Sequence, residues 1–324
     1  MSLKYYNTTG FGLGTVIEQK VAAESADDAN DIFCRINDIL RRIESEMSYF
    51  IAESSVSQLN SSNGSLVKMD ADTFDVLVTA DAFYRLSGGA FDVTAAPLTA
   101  LWRDCINSKT VPEAQTVQDL LPLVSGSHLK LDQNSHTAKI GRGQSVDPGG
   151  IGKGFAADAA IKAYRELGVT SALINLGGNV QTLGKKIDGE SWMIGVQNPR
   201  SARGEFIAGL ALEDESAVTS GDYEKYFVAG GKRYHHIIDP KTGYPADSGL
   251  ISAAVLSPAS MEADALSTAV FVSGLERGME LIKQTPRAEG ILITKEKTVF
   301  ITRGLKDRIV ANNDGMGYRF CFFE

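Results

Sequence analysis

Between residues 171 and 257 the chain strings together five short β-rich runs. They are 171–176 (SALINL), 192–198 (WMIGVQN), 206–212 (FIAGLAL), 235–239 (HHIID) and 250–257 (LISAAVLS), with turn signals between them and no helical period. Helices are expected around this block but do not alternate strictly with strands. That arrangement points to an α+β fold, with a mixed or antiparallel sheet and packed helices, rather than a doubly wound parallel sheet.

The remaining elements follow from periodicity. Residues 15–23 read as an early strand, and Ser25 ahead of Asp27 and Asp28 is an N-cap with acids in the first turn. Apolar residues at 29, 32, 33, 36, 39, 40, 43 and 47 keep a helical period, so a helix is expected over 26–47. A second helix runs from about Thr73 to Leu86 and stops at Gly88 and Gly89. A hairpin is expected over 129–140, and a helix over 153–167 ends at Gly168. Further helices are expected from Ser260 to Val272 and over 276–284, with strands at 290–295 and 298–302. No repeat, low-complexity tract or long linker divides the 324 residues, so one compact domain over 1–324 is the expectation.

Composition excludes several classes. Hydrophobic residues make up 43% and charged residues 22%, which is globular and not disordered. A net charge of −8 with no dense Lys/Arg run argues against nucleic acid as a partner. Cys34, Cys105 and Cys321 are odd in number and lie far from one another, outside any CxxC or zinc spacing, as in a reducing compartment or a chain indifferent to redox state. No apolar run reaches the ~18 residues of a transmembrane segment. Met1 to Gly14 lacks the charged and apolar regions of a signal peptide. The sequence as it stands therefore reads as cytoplasmic; an exported or membrane-anchored protein with its leader cut away would read the same.

Five segments can carry chemistry. Asp147-Pro-Gly-Gly-Ile-Gly-Lys153-Gly154 places four glycines around a lysine before a helix, where bare amides and the helix N-terminus suit an anion. It lacks the P-loop spacing and matches a dinucleotide fingerprint only loosely. It serves equally as a turn that lets a helix pack closely. Gly88-Gly-Ala90-Phe91-Asp92-Val-Thr94 is a pocket wall or a helix stop with its turn. Asn175-Leu-Gly177-Gly178-Asn179 is a ligand approach or a tight strand exit. Thr219-Ser-Gly-Asp222-Tyr leads to His235-His236-Ile-Ile238-Asp239-Pro240. The adjacent histidines alternate across a strand and face opposite ways, so at most one points into a given site. Histidine is a common general base and as often a satisfied core residue. Asp264 and Thr268 share a helix face and offer hard oxygen ligands of the kind Mg²⁺ prefers; they also suit a helix N-terminus and a hydroxyl bonded to the preceding turn.

In this order the segments resemble the ApbE family of flavin transferases, the FAD:protein FMN transferases. Two further pieces carry the resemblance: Met47-Ser-Tyr-Phe50 with Ser54-Ser-Val-Ser-Gln-Leu-Asn60, and Leu101-Trp102 after the Ala90 segment. The matching motifs span about residues 12–305. The resemblance implies an α+β fold related to the tunnelling fold. It also implies Mg²⁺-dependent transfer of FMN from FAD to a threonine or serine hydroxyl of an acceptor flavoprotein, with release of AMP. Hydrolysis of FAD to FMN and AMP, or flavin binding without catalysis, are the alternatives.

Residue by residue, the resemblance implies that Asp264, Thr268 and the carbonyl oxygen of Gly150 ligate Mg²⁺, with Ser267 in the same neighbourhood. It implies a cofactor-binding set of Met47, Phe50, Ala90, Phe91, Asp92, Asp147, Lys153, Gly178, Asp222 and Ile238. His236 is the candidate general base. One departure stands out: many members carry tyrosine where this chain has Phe50, which can stack on a flavin but cannot donate a hydrogen bond.

Overall fold

A computed structural model describes residues 3–312 and 316–323. The chain opens with a hairpin of β1 (Lys4–Gly12) and β2 (Thr15–Ala23), then α1 (Ala26–Met47). Ser25 caps α1 as expected, its hydroxyl accepting the Asp28 N–H. Next come α2 (Ser55–Ser61), β3 (Val67–Lys68), α3 (Ala71–Ser87), α4 (Ala96–Ser108), α5 (Ala114–Leu120), β4 (Lys130–Asp132) and β5 (Thr137–Lys139). The central part holds α6 (Gly152–Glu166), β6 (Ala172–Leu176), β7 (Asn179–Leu183), β8 (Trp192–Gln197), β9 (Phe206–Leu212) and β10 (Ser216–Gly221). A hairpin of β11 (Tyr226–Ala229) and β12 (Lys232–His235) precedes β13 (Leu250–Ser257), α7 (Ser260–Ser273) and α8 (Leu275–Gln284). β14 (Glu289–Thr294), β15 (Thr298–Thr302), β16 (Ile309–Ala311) and β17 (Arg319–Phe323) close the chain.

Nine strands form one sheet in the order β1-β2-β6-β7-β10-β13-β14-β15-β17. Every neighbouring pair is antiparallel except β15 and β17. The α+β expectation with a mixed, largely antiparallel sheet therefore holds.

The strand β13 shows why its sequence is apolar almost throughout. Ala253 and Val255 face the cluster under α1, α3, α6 and α7, whereas Ala254 and Leu256 face a second cluster. That second cluster is covered by the separate sheet of β16, β9 and β8. A strand covered on both faces has no solvent side on which to place polar residues. The neighbouring β10 escapes sequence reading for the opposite reason. Its serines are buried but satisfied: Ser216 donates to the Val180 carbonyl and to Ser260 Oγ, and Ser220 bonds Ser267 at 2.9 Å.

A third cluster joins α4 and α5 to the β11–β12 hairpin. Trp102 is fully buried there, and its indole N–H donates to the Gly243 carbonyl at 2.7 Å. This bond pulls the 236–243 segment against α4. The expected strand over 235–239 is corrected here. The strand ends at His235, the last residue paired with β11. Beyond it Asp239 makes a tight turn, its carbonyl accepting the Gly243 N–H at 2.9 Å.

Two helices meet more closely than side chains permit. A Cβ on Gly154 would stand 2.3 Å from the Ser260 carbonyl oxygen and 2.6 Å from the Met261 Cα. One turn further along α6, Asp158 accepts the backbone N–H groups of Ser260 and Met261, each at 2.9 Å. That carboxylate caps α7, whose own N-cap residue, Ala259, has no side-chain acceptor. Gly154→Ala is expected to push the helices apart and to destabilise the fold by about 1–3 kcal/mol. A urea unfolding midpoint equal to that of the wild type would overturn this reading.

Candidate active site

The close contact of α6 and α7 brings the anion segment onto the face of α7. Asp147 starts this segment: its N–H bonds the Val93 carbonyl and its Oδ1 accepts the Gly149 N–H, both at 2.9 Å. That turn launches the single turn of 3₁₀ helix at Pro148–Gly150, and α6 begins at Gly152. Lys153 reaches back to donate to the Gly149 carbonyl at 2.7 Å.

Asp264 projects from α7 into the same place. It is 4% exposed, and its Oδ2 accepts the Gly154 N–H at 2.9 Å with the Lys153 ammonium 3.7 Å away. Its Oδ1 accepts no hydrogen bond among the described residues. Thr268 stands one helical turn on. A Cβ on Gly150 would lie 3.6 Å from Thr268 Oγ1 and 3.3 Å from the Phe91 ring, so the four residues form one cluster. Ser267 is adjacent but turned inward, donating to the Asp264 carbonyl and bonding Ser220. Ser220 also reaches Thr268 Oγ1 at 3.3 Å, which makes it a neighbour that sequence reading did not single out.

Among the described residues no group of three His, Cys, Asp or Glu side chains could hold a metal ion. A cation here would rest on Asp264, the Thr268 hydroxyl and the Gly150 carbonyl. That donor set is all oxygen and carries one carboxylate, which suits Mg²⁺, an ion that keeps several waters.

The aromatic wall lies opposite. Ala90 and Phe91 are buried, and the Phe91 N–H donates to Ser87 Oγ at 3.0 Å. Asp92 shapes this wall rather than offering free oxygens. Its Oδ1 accepts from the Thr94 N–H and hydroxyl, and its Oδ2 from the Gly126 N–H. Burial raises its pKa, with those bonds opposing the rise. Met47 is buried at the end of α1, whereas Phe50 leaves 71% of its surface open. Arg103 of α4 holds this corner together. Its guanidinium lies 4.6 Å from the Phe50 ring centre and 5.6 Å from that of Tyr49, and it pairs with Asp147 Oδ2 at 3.1 Å. Nothing in the motif spacing distinguishes Arg103 from a surface arginine.

The adjacent histidines separate into two roles. His235 is buried, bonds the Ala246 carbonyl at 3.0 Å and meets the Phe271 ring edge-on. His236 is exposed, and its N–H donates to the Lys225 carbonyl. Desolvation first, and then the nearby His235, Lys225 and Lys153, hold its pKa well below the ordinary histidine value. Ile238 is buried behind it and bridges to Pro245.

Two expected binding residues have structural partners. Asp222 is buried, and both its oxygens are taken by Arg200, at 2.6 and 2.8 Å. Gly178 forms the β6–β7 turn at a φ of +101°, where its N–H donates to the Asn175 side chain. Glycine adopts that backbone freely.

A sequence model described as the ApbE family matches residues 13–292. The FAD:protein FMN transferase of Klebsiella pneumoniae is 34% identical over 83% of this chain and 84% of its own length. That of Treponema pallidum is 31% identical, covering 95% of this chain and 89% of the relative. The crystal structure of an ApbE protein from Thermotoga maritima superposes with a TM-score of 0.82 at 32% identity, over 90% of this chain and 94% of that one.

The depressed pKa of His236 has a direct readout. A lowered folded-state pKa means that the ring stays neutral at every pH above the ordinary value of ~6.5 and refuses the proton that the unfolded chain accepts below it. Histidine NMR is expected to show the His236 ring neutral through pH 6.5. A midpoint at or above that value would overturn the assignment of its surroundings.

Proposed function

The chain belongs to the ApbE family, and from that membership we propose that it is an FAD:protein FMN transferase in which the Asp264 cluster handles the pyrophosphate. Its curated relatives carry that activity in their names. The observation that supports the residue roles is the meeting of Asp264, Thr268, Gly150 and Lys153 at the α6–α7 contact. The acceptor is a protein that presents a threonine or serine hydroxyl.

Asp264, Thr268 and the Gly150 carbonyl hold Mg²⁺, which when bound neutralises charge on the pyrophosphate. Lys153 adds a fixed cation beside the same oxygens, anchored by its bond to Gly149. Such reactions depend mainly on positioning and charge neutralisation. Phe50, with the wall of Ala90 and Phe91 behind Gly150, receives the flavin. Met47, Asp92, Asp147, Gly178, Asp222 and Ile238 act by supporting the loops that surround it.

His236 accepts the proton of the acceptor hydroxyl as its oxygen bonds to the phosphorus of the FMN half. The bond from that phosphorus to the bridging oxygen breaks, and its electron pair leaves with AMP. A neutral imidazole is the form this step requires, and the surroundings of His236 favour that form. The openness of His236 to solvent also favours a second reaction, in which water replaces the acceptor and FAD is cut to FMN and AMP.

The test weighs the acceptor before and after incubation with FAD and Mg²⁺. A gain of one FMN unit, with AMP released and both lost on adding EDTA, is the expected result. AMP without an adduct, for every acceptor tried, would replace transfer with hydrolysis. Asp264→Asn keeps an oxygen for the Gly154 N–H but removes the charge. It is expected to slow transfer by at least about a hundredfold, because charge neutralisation at the phosphoryl oxygens contributes several kcal/mol. A variant with wild-type rate would remove Asp264 from the reaction.

A further inference from the structure

Phe50 stands near the site with 71% of its surface exposed, whereas Phe91 beside Gly150 is buried. Its ring meets that of its neighbour Tyr49 edge-on at 5.4 Å and 81°. The Arg103 guanidinium lies over the Phe50 ring, 4.6 Å from its centre, and 71% of the residue's surface stays exposed. An arginine is planar and weakly hydrated, so it covers an aromatic face better than an ammonium would.

The same guanidinium is held from behind. Its Nη2 pairs with Asp147 Oδ2, while the other oxygen of Asp147 sets the turn carrying Gly149 and Gly150. Arg103 follows Trp102, whose buried indole is bonded to Gly243, so its backbone is fixed to the core. A single arginine thus connects the exposed aromatic ring to the turn that carries the candidate phosphate cluster.

We infer that Arg103 is a positioning residue that gives the site its preference for flavin-bearing nucleotides. It pins the Phe50 ring as a wall on which an isoalloxazine stacks, and it keeps that wall in register with the Asp147 turn. This inference rests on the flavin-transfer reading.

The test compares ligands with and without the flavin ring. FMN binding to the full-length protein is followed by quenching of flavin fluorescence, and AMP binding by calorimetry. Arg103→Ala is expected to weaken FMN about tenfold, the upper part of the range for a cation–aromatic contact, and to reduce the quenching at saturation. AMP affinity is expected to stay within about twofold, because AMP has no isoalloxazine to stack. Arg103→Gln, flat but uncharged, serves as a second variant if the alanine form does not fold, with the same expected loss.

Equal weakening of FMN and AMP would show a general distortion through Asp147 and overturn the inference. Unchanged FMN binding in both variants would overturn it as well, as would a loss in Phe50→Ala that neither arginine variant reproduces. A wild-type protein that binds neither FMN nor FAD would instead remove the flavin-transfer reading on which the inference stands.

Discussion

The candidate site depends on the absence of one side chain. Because residue 154 is glycine, α6 can lie against the first turn of α7 at a distance no Cβ would tolerate. Three bonds then lock the two helices. The Gly154 amide donates to Asp264, and Asp158 receives the first two amides of α7. The orphan donors that every helix start must satisfy are met here by the neighbouring helix rather than by a cap residue. The same contact delivers Lys153 and Gly150 to the face of α7 that carries Asp264 and Thr268. Packing and site construction are one event, and Gly154, read from sequence as part of an anion loop or a packing turn, serves in both.

The acids divide according to what already holds them. Asp92, Asp158 and Asp222 are each surrounded by donors: turn amides for the first, helix amides for the second, a guanidinium for the third. A carboxylate in such a position builds backbone geometry and has little capacity left for a ligand. Asp264 differs: it is as buried as Asp222, but among the described residues only its Oδ2 accepts a protein hydrogen bond. An oxygen not engaged by a protein donor keeps its lone pairs for a ligand.

Much of this was legible in the residues. The helical period over 26–47 and the N-cap at Ser25 fixed α1 to the residue, and the glycine stops closed α3. The hairpin over 129–140 and the helices after Ser260 also appear where periodicity put them. Two missed central strands share a physical cause. β7 and β10 are central strands whose buried polar side chains bond one another and the backbone, so they lack the apolar alternation by which strands are recognised. Likewise α4 hid behind a proline at its start and a mixed face, with only Ala96, Leu98, Trp102 and Cys105 of its residues buried. In the site, the glycine–lysine segment and the Asp264–Thr268 spacing were readable, because helix geometry converts spacing into proximity. Arg103 was not, because nothing in its spacing sets it apart and it reaches the cluster from α4; Ser220 lay within the quoted Thr219-Ser-Gly-Asp222 segment, but nothing local marked its part in the cluster.

The histidine pair shows how far local rules carry and where they stop. Alternation along a strand correctly implied two different environments, yet the strand that would impose it ends at the first histidine. The difference comes from tertiary structure instead. His235 turns into the core, where the Ala246 carbonyl, the Ile237 N–H and the Phe271 edge satisfy it, so its ring is a packing unit with two hydrogen bonds. His236 begins the segment that Trp102 draws against α4, and the turn at Asp239 keeps that segment from rejoining a sheet. A residue released from pairing in this way can face solvent without losing a ladder bond. Its backbone stays tied to Lys225, so the exposed imidazole is carried on a fixed support. The lysines near its ring then disfavour the protonated form further, and that electrostatic bias arises from the same basic residues that would attract a phosphate-bearing substrate.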